Sequence, residues 1–192
     1  RIRGGNLVVD EIYHGLTYGF EADTALALDN EVFVINSFSK YFGMTGWRLG
    51  WLVAPERHVR EIEKLAQNLY IAPSTLAQHA ALAAFHPATI AIFEHRRREF
   101  QARRDLMLPG LERLGFRVAA QPRGAFYIYA DSSQLGPDSR ILAERFLADA
   151  GVAATPGLDF GENEPRRHMR FAYTVEQARI TEGLARMEKL LG

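Results

Sequence analysis

Residues 37–51 read Ser-Phe-Ser-Lys-Tyr-Phe-Gly-Met-Thr-Gly-Trp-Arg-Leu-Gly-Trp, and two apolar runs flank this stretch: 31–35 (E-V-F-V-I) before it and 49–54 (L-G-W-L-V-A) at its end. Short runs with apolar residues on both faces are expected as buried strands of a sheet covered by helices. Lys40 lies in the connection between them. Its neighbours are Asn36, Ser37, Phe38, Ser39, Tyr41, Phe42 and Gly43, with no acid beside it. The chain has only three lysines among its 23 basic residues, and the other two read differently. Lys64 follows Glu61 and Glu63, and Lys189 follows Glu188, so both are expected as solvated helix charges.

Upstream, residues 1–5 read as the tail of a helix with its glycine-rich stop, and 7–9 as a short buried strand followed at once by Asp10 and Glu11. Downstream, helices are expected over 57–70 and 73–85, the second with proline in its first turn. A long helix dense in Arg and Glu is expected from Ala88 to about Leu108, ended by Pro109. Beyond it the pattern predicts strands at 116–118, 125–129, 152–154 and 168–173, and helices at 139–150 and 175–191. The reading is an α/β chain in three parts: 1–87, a mostly parallel sheet with helices; 88–114, a connecting helix; 115–192, a small α/β domain.

Composition narrows the function classes. The 192 residues are 47% apolar and 24% charged, with 23 acids against 23 bases, which favours neither nucleic acid nor a membrane surface. The basic run His95-Arg96-Arg97-Arg98, with Arg103 and Arg104, is interleaved with Glu94, Glu99 and Asp105, the pattern of a solvated helix face. There is no cysteine, and the six histidines show no metal-binding spacing, so no metal is expected. No apolar run approaches the ~20 residues that span a bilayer. A cytoplasmic enzyme is the expectation.

Three polar features fall at strand ends. Asp10 closes the first strand, with Tyr13 three residues on; Ser37 and Lys40 follow the second; Arg48 comes eight residues after Lys40. Ligands of open α/β sheets bind outside the carboxyl ends of strands, so these residues can converge although distant in sequence. Each suits one part of pyridoxal phosphate. A lysine forms the Schiff base, a carboxylate pairs with the pyridine nitrogen, and a phenol bonds the ring oxygen. A hydroxyl and a guanidinium fork hold the phosphate. Taken singly, each has a plainer reading: Asp10 and Ser37 as caps, Tyr13 as a packing residue, Arg48 as an ion-pair partner. Spacing alone leads only to an α/β protein with an anion site.

The motif at 37–51 resembles the cofactor-attachment segment of class I aminotransferases, fold type I enzymes of the aspartate aminotransferase kind. D-E-I-Y-H-G (10–15), P-R-G-A-F-Y (122–127), T-P-G-L-D-F-G (155–161) and H-M-R-F-A-Y (168–173) resemble further segments of that family. The resemblance implies Lys40 as the catalytic Schiff-base lysine, Asp10 at the pyridine nitrogen, Tyr13 at the ring oxygen, and Ser37 and Arg48 at the phosphate. It implies Arg170 as the grip on the substrate α-carboxylate. Strand alternation agrees, since His168, Arg170 and Ala172 share one face and Met169, Phe171 and Tyr173 the other. The implied reaction transfers an amino group between an amino acid and a 2-oxo acid in a homodimer. A β-eliminating C–S lyase on the same scaffold is the alternative, as is a fragment inactive on its own. Relative to the family the chain corresponds to the C-terminal half. The glycine-containing phosphate loop, the aromatic that stacks on the ring and an N-P-T-G-type segment are expected upstream.

Overall fold

A computed structural model describes residues 4–192. The helix end expected at 1–5 falls partly on residues 1–3, which lie outside the described residues. The chain forms two compact units, Arg1–Arg97 and Arg98–Gly192.

In the first unit, β1 (Val8–Asp10), β2 (Phe33–Ser37) and β3 (Gly50–Val53) form one sheet in that order. β1 and β2 are parallel, with Asp10 opposite Ile35; β2 and β3 are antiparallel, with Ser37 opposite Gly50. The ends of β1 and β2 and the start of β3 therefore share one edge of the sheet. β2 starts two residues later than its sequence suggests. The Glu31 N–H donates to the Asp29 carboxylate at 2.9 Å and is used in a turn, and the ladder opens with Phe33 N–H on Leu7 C=O at 2.9 Å.

Three helices follow: α1 (Glu56–Leu69), α2 (Thr75–Ala84) and α3 (Pro87–Arg113). Lys64 pairs with Glu61 at 2.6 Å on the exposed face of α1, as its sequence context predicts. α2 turns small residues inward, burying Ala77, Ala81 and Ala84. Ala81 and Ala84 leave room for Phe38, Met44 and Phe93 to close a core beneath the Lys40 loop.

α3 does not end before Pro109 as its sequence suggests; it runs on to Arg113 with the proline inside it. An interior proline costs about 3 kcal/mol. Met107 and Leu111, on either side, are 8% and 0% exposed. Burying two such side chains contributes about 3–6 kcal/mol, so packing outweighs the proline.

The second unit has a three-stranded antiparallel sheet in the order β4 (Tyr127–Asp131), β6 (His168–Ala172), β5 (Thr155–Pro156). α4 (Ser139–Ala150) and α5 (Gln177–Leu191) accompany it. The Asp138 carboxylate accepts the Arg140 N–H to cap α4, and Gly151 ends that helix at φ +63°. Ile128, Phe146, Met169 and Tyr173 are fully buried and form the core.

Two expected strands are corrected. Residues 116–118 supply only a bridge between Arg117 and Asp131, because Phe116 turns its ring onto Phe171 at 4.9 Å. The strand expected at 152–154 falls at Thr155–Pro156, because Val152 N–H closes the end of α4 on Phe146 C=O at 2.9 Å. Among the described residues no single helix is long and apolar enough to cross a membrane.

Candidate active site

Asp10 ends β1 exposed, and its carboxylate accepts the Ile12 N–H at 3.0 Å. That bond begins a compact turn, continued by His14 N–H on Glu11 C=O and Leu16 N–H on Tyr13 C=O, which presents Tyr13 beside the sheet edge. Gly15 takes φ +88° in this turn. A Cβ there would meet Tyr41 Cγ at 2.7 Å, so only glycine lets the turn lie against the Tyr41 ring.

The Lys40 loop is closed on itself. Phe38 N–H donates to Leu49 C=O, Met44 N–H to Phe38 C=O at 2.9 Å, and Gly43 N–H to Lys40 C=O at 3.0 Å. Thr45 Oγ1 donates to Ser39 C=O at 2.6 Å. The rings of Phe38 and Phe42 lie 4.8 Å apart and pin the loop to the core from both sides of Lys40.

Lys40 Nζ stands 5.8 Å from the centre of the Tyr13 ring. Residues 27 apart in sequence meet because β1 and β2 are parallel neighbours. Ser37 Oγ accepts the Ser39 N–H at 3.0 Å and donates to Leu49 C=O at 3.3 Å. Arg48, exposed, adopts φ +53°, and its guanidinium donates to Thr45 C=O at 3.0 Å. A left-handed conformation is costly in a residue other than glycine. Asp10, Tyr13, Ser37, Lys40 and Arg48 thus all belong to the first unit, at or beside the edge where β1 and β2 end and β3 begins.

Arg170 belongs to the second unit. It lies in the middle of β6, opposite Tyr129 on one side and Thr155 on the other. Met169 and Phe171 are buried at 0% and 4%, while Arg170 faces the other way, half-buried. Its guanidinium lies over the Phe160 ring at 4.4 Å and the Tyr127 ring at 5.6 Å. These residues line a recess of about 450 Å³ with Tyr129, His168 and Asn163. Tyr129 and His168 stack at 5.0 Å between centroids, and burial pushes the Tyr129 phenol up. Rings that hold a guanidinium flat leave its fork preorganised for a planar carboxylate.

Sequence reading missed two features around the first site. Glu11, 5% exposed, accepts Thr24 Oγ1–H at 3.0 Å and Ala25 N–H at 2.7 Å and approaches His14 Nδ1 at 3.3 Å. Tyr41 donates to Glu94 at 2.7 Å across 53 residues. Nothing local in the sequence marks either one, since both depend on segments brought together by the fold. Among the described residues no group of three or more His, Asp or Glu side chains could hold a metal ion.

The sequence family described as aminotransferase class I and II matches residues 2–187. The chain belongs to that family. The valine–pyruvate aminotransferase of Mycobacterium tuberculosis is 40% identical over 183 residues, covering 94% of this chain and 47% of that protein. A crystal structure of an aminotransferase from Mycobacterium tuberculosis superposes with a TM-score of 0.92 at 39% identity, over 97% of this chain and 49% of that one. The aspartate aminotransferase of Thermus thermophilus with maleate superposes with a TM-score of 0.90 at 35% identity, over 99% of this chain and 49% of that one. The chain therefore has the aminotransferase fold and spans about half the length of the curated relatives it matches.

Proposed function

We propose that the intact protein is a pyridoxal-phosphate-dependent aminotransferase that moves an amino group between an amino acid and a 2-oxo acid. The observation that carries this reading is the approach of Lys40 Nζ to Tyr13 at the sheet edge where Asp10 and Ser37 also end. The donor set fits the cofactor: an amine, a carboxylate, a phenol, a hydroxyl and a guanidinium, gathered at the carboxyl ends of parallel strands. When bound, pyridoxal phosphate draws electrons from the substrate's Cα and so makes its proton removable.

The residues divide the work. Lys40 Nζ would be the covalent attachment point for the cofactor, and its amine, when free, would take a proton from the substrate's Cα and give it back as the amino group is transferred. The Asp10 carboxylate holds a proton at the pyridine nitrogen. The Tyr13 phenol donates to the ring oxygen. Ser37 Oγ and the Arg48 fork hold the phosphate dianion. Arg170 grips the α-carboxylate of the amino or oxo acid, in keeping with a relative whose structure was solved with maleate, a dicarboxylate. Residues 1–87 supply part of the large cofactor-binding domain, 88–114 the connecting helix and 115–192 the small domain. A cytoplasmic homodimer completes the reading.

Borohydride reduction of the cofactor-saturated intact protein, followed by peptide mapping, tests it. The expected pyridoxyl adduct is on Lys40. An adduct on Lys64 or Lys189, or none at all, overturns the assignment.

A further inference from the structure

Tyr41 is bonded to Lys40 through the backbone, yet its side chain joins a different set of residues. Its ring is packed against Gly15, where a Cβ would sit 2.7 Å from Cγ and 2.8 Å from Cδ2. The edges of Phe42 and Phe93 hold the same ring at 5.2 and 5.5 Å between centroids. Its hydroxyl donates to Glu94 Oε1 at 2.7 Å. Glu94 Oε2 in turn accepts from Arg97 Nε at 2.8 Å, and Arg97 Nη1 donates to Thr17 C=O at 3.0 Å. The chain of contacts leaves the residue beside Lys40, crosses one turn of α3 from Glu94 to Arg97, and returns to the segment that carries Tyr13. Gly15 and Thr17 are its two points of grip, two and four residues beyond Tyr13.

An ion pair of the Glu94–Arg97 kind, three residues apart, would serve a helix without any phenol. The added Tyr41 hydroxyl makes the pair a strut between two loops. It fixes two coordinates at once: where the backbone of Lys40 sits, and where the Tyr13 turn sits relative to it. We infer that Tyr41, Glu94 and Arg97 form a positioning network that sets the separation of Lys40 Nζ from Tyr13, and so the geometry of proton transfer at Lys40. The inference rests on the assignment of Lys40 and Tyr13 to the cofactor made above. None of the three touches the reacting atoms; they act through the two loops.

The electrostatics suit a permanent strut. Burial first, then the hydrogen bond to Glu94 and the charge of that carboxylate, push the Tyr41 phenol up to about 12, against a smaller opposite pull from Arg97. The hydroxyl therefore remains a donor at neutral pH, and the direction of the hydrogen bond does not reverse. Transfer rates are sensitive to such placement, because a misplacement of ~1 Å can cost ~10²-fold even when its cause lies away from the chemistry.

The test uses the intact, cofactor-saturated protein and two variants. Tyr41→Phe keeps the ring against Gly15 and removes only the donated hydrogen bond. Glu94→Gln keeps an acceptor and removes the charge that holds Arg97. Each is expected to lower kcat about three- to thirtyfold, with KM changed by less than about twofold. Each is also expected to alter the visible circular dichroism of the lysine-bound chromophore, which reports its orientation. The double variant should fall no further than the worse single one, since the groups act as one unit. Wild-type kcat and wild-type visible dichroism in both single variants overturn the inference, whatever happens to the melting temperature. Should Tyr41→Phe fail to fold, Glu94→Gln decides alone. Absence of the Lys40 adduct in the wild-type protein is a different result: it overturns the functional reading, and this inference with it.

Discussion

The buried carboxylate of Glu11 accepts the backbone N–H of Ala25 at 2.7 Å, reaching across fourteen residues from the turn that carries Asp10 and Tyr13. The same oxygen accepts the Thr24 hydroxyl at 3.0 Å. This side chain ties the Tyr13 turn to the Ala25–Ala27 segment and prevents it from lifting off. Glu11→Ala leaves a backbone donor and a hydroxyl without their acceptor, which costs about 2–4 kcal/mol. Glu11→Gln keeps an acceptor at the same reach and is expected to cost about 1–2 kcal/mol. Urea denaturation of the intact variants measures both; equal stability of the Ala and Gln variants would refute the tether.

The residues proposed to hold the cofactor sit in local motifs that close on themselves through hydrogen bonds, which is what makes such motifs readable in the sequence. Ser37 to Gly50 is such a closed loop, with Phe38, Thr45 and Leu49 each bonded back within it. Helices were legible too, since α4 announces itself with Asp138 at one end and Gly151 at the other. What escaped was decided at a distance. Pro109 reads as a stop, and the burial of Leu111 cancels it. Val152 reads as a strand residue, and a helix end takes its amide. Glu11 and Tyr41 find their partners 14 and 53 residues away. A local window sees apolar period and turn chemistry; it does not see which polar group a distant segment will deliver.

Arg170→Ala is expected to weaken amino-acid use far more than cofactor binding. A guanidinium fork makes two parallel charged hydrogen bonds to a carboxylate, each worth about 1.5–3 kcal/mol. The expected loss in kcat/KM is roughly 10²- to 10⁴-fold, at ~1.4 kcal/mol per decade. Phe160→Leu, which removes the ring lying 4.4 Å from the guanidinium, should raise KM by a smaller factor. Steady-state kinetics with the intact protein decide the matter, and a wild-type kcat/KM for Arg170→Ala would remove Arg170 from the substrate site.

Acid should weaken the second unit through Asp131. Burial alone would raise this carboxyl, but hydrogen bonds from the Ser133 side chain and backbone and from Arg167, with the Arg167 charge, bring it down to about 2 from 3.8. The group is 12% exposed and also lies 3.3 Å from Arg117. A folded value below the unfolded one means stability that is present above pH ~4 and lost as pH falls through ~2. The amount is about 2 kcal/mol, from ~1.4 kcal/mol per unit. Asp131→Asn should therefore be less stable than wild type by about that much at neutral pH, with the gap closing toward pH ~2. Urea titrations at several pH values give the gap directly, and a gap independent of pH would exclude the carboxylate as its source.

Residues 1–192 expressed alone are expected not to be a competent transaminase. The chain spans about half of each relative's length, and its first sheet has only three described strands, with β1 and β3 at the edges. β3 is exposed along its whole length: Trp51 at 37%, Leu52 at 43% and Val53 at 38%. Val8 and Ile35, on the other strands, are exposed at 57% and 43%. Open edges beside apolar faces pair with other chains and self-associate. The proposed site would be affected in the same way. Asp10, Tyr13, Ser37, Lys40 and Arg48 would be kept, while the phosphate loop and stacking aromatic implied by the family resemblance would be lost, as would any residues a partner subunit supplies. The expected product is a poorly soluble or self-associated protein with weak cofactor binding. The measurement is turnover of an amino acid with 2-oxoglutarate by the purified 192-residue chain in excess pyridoxal phosphate, with its association state followed by light scattering. Turnover at an ordinary enzyme rate of ~1–10³ s⁻¹ from a monodisperse preparation would show that this chain carries a complete site.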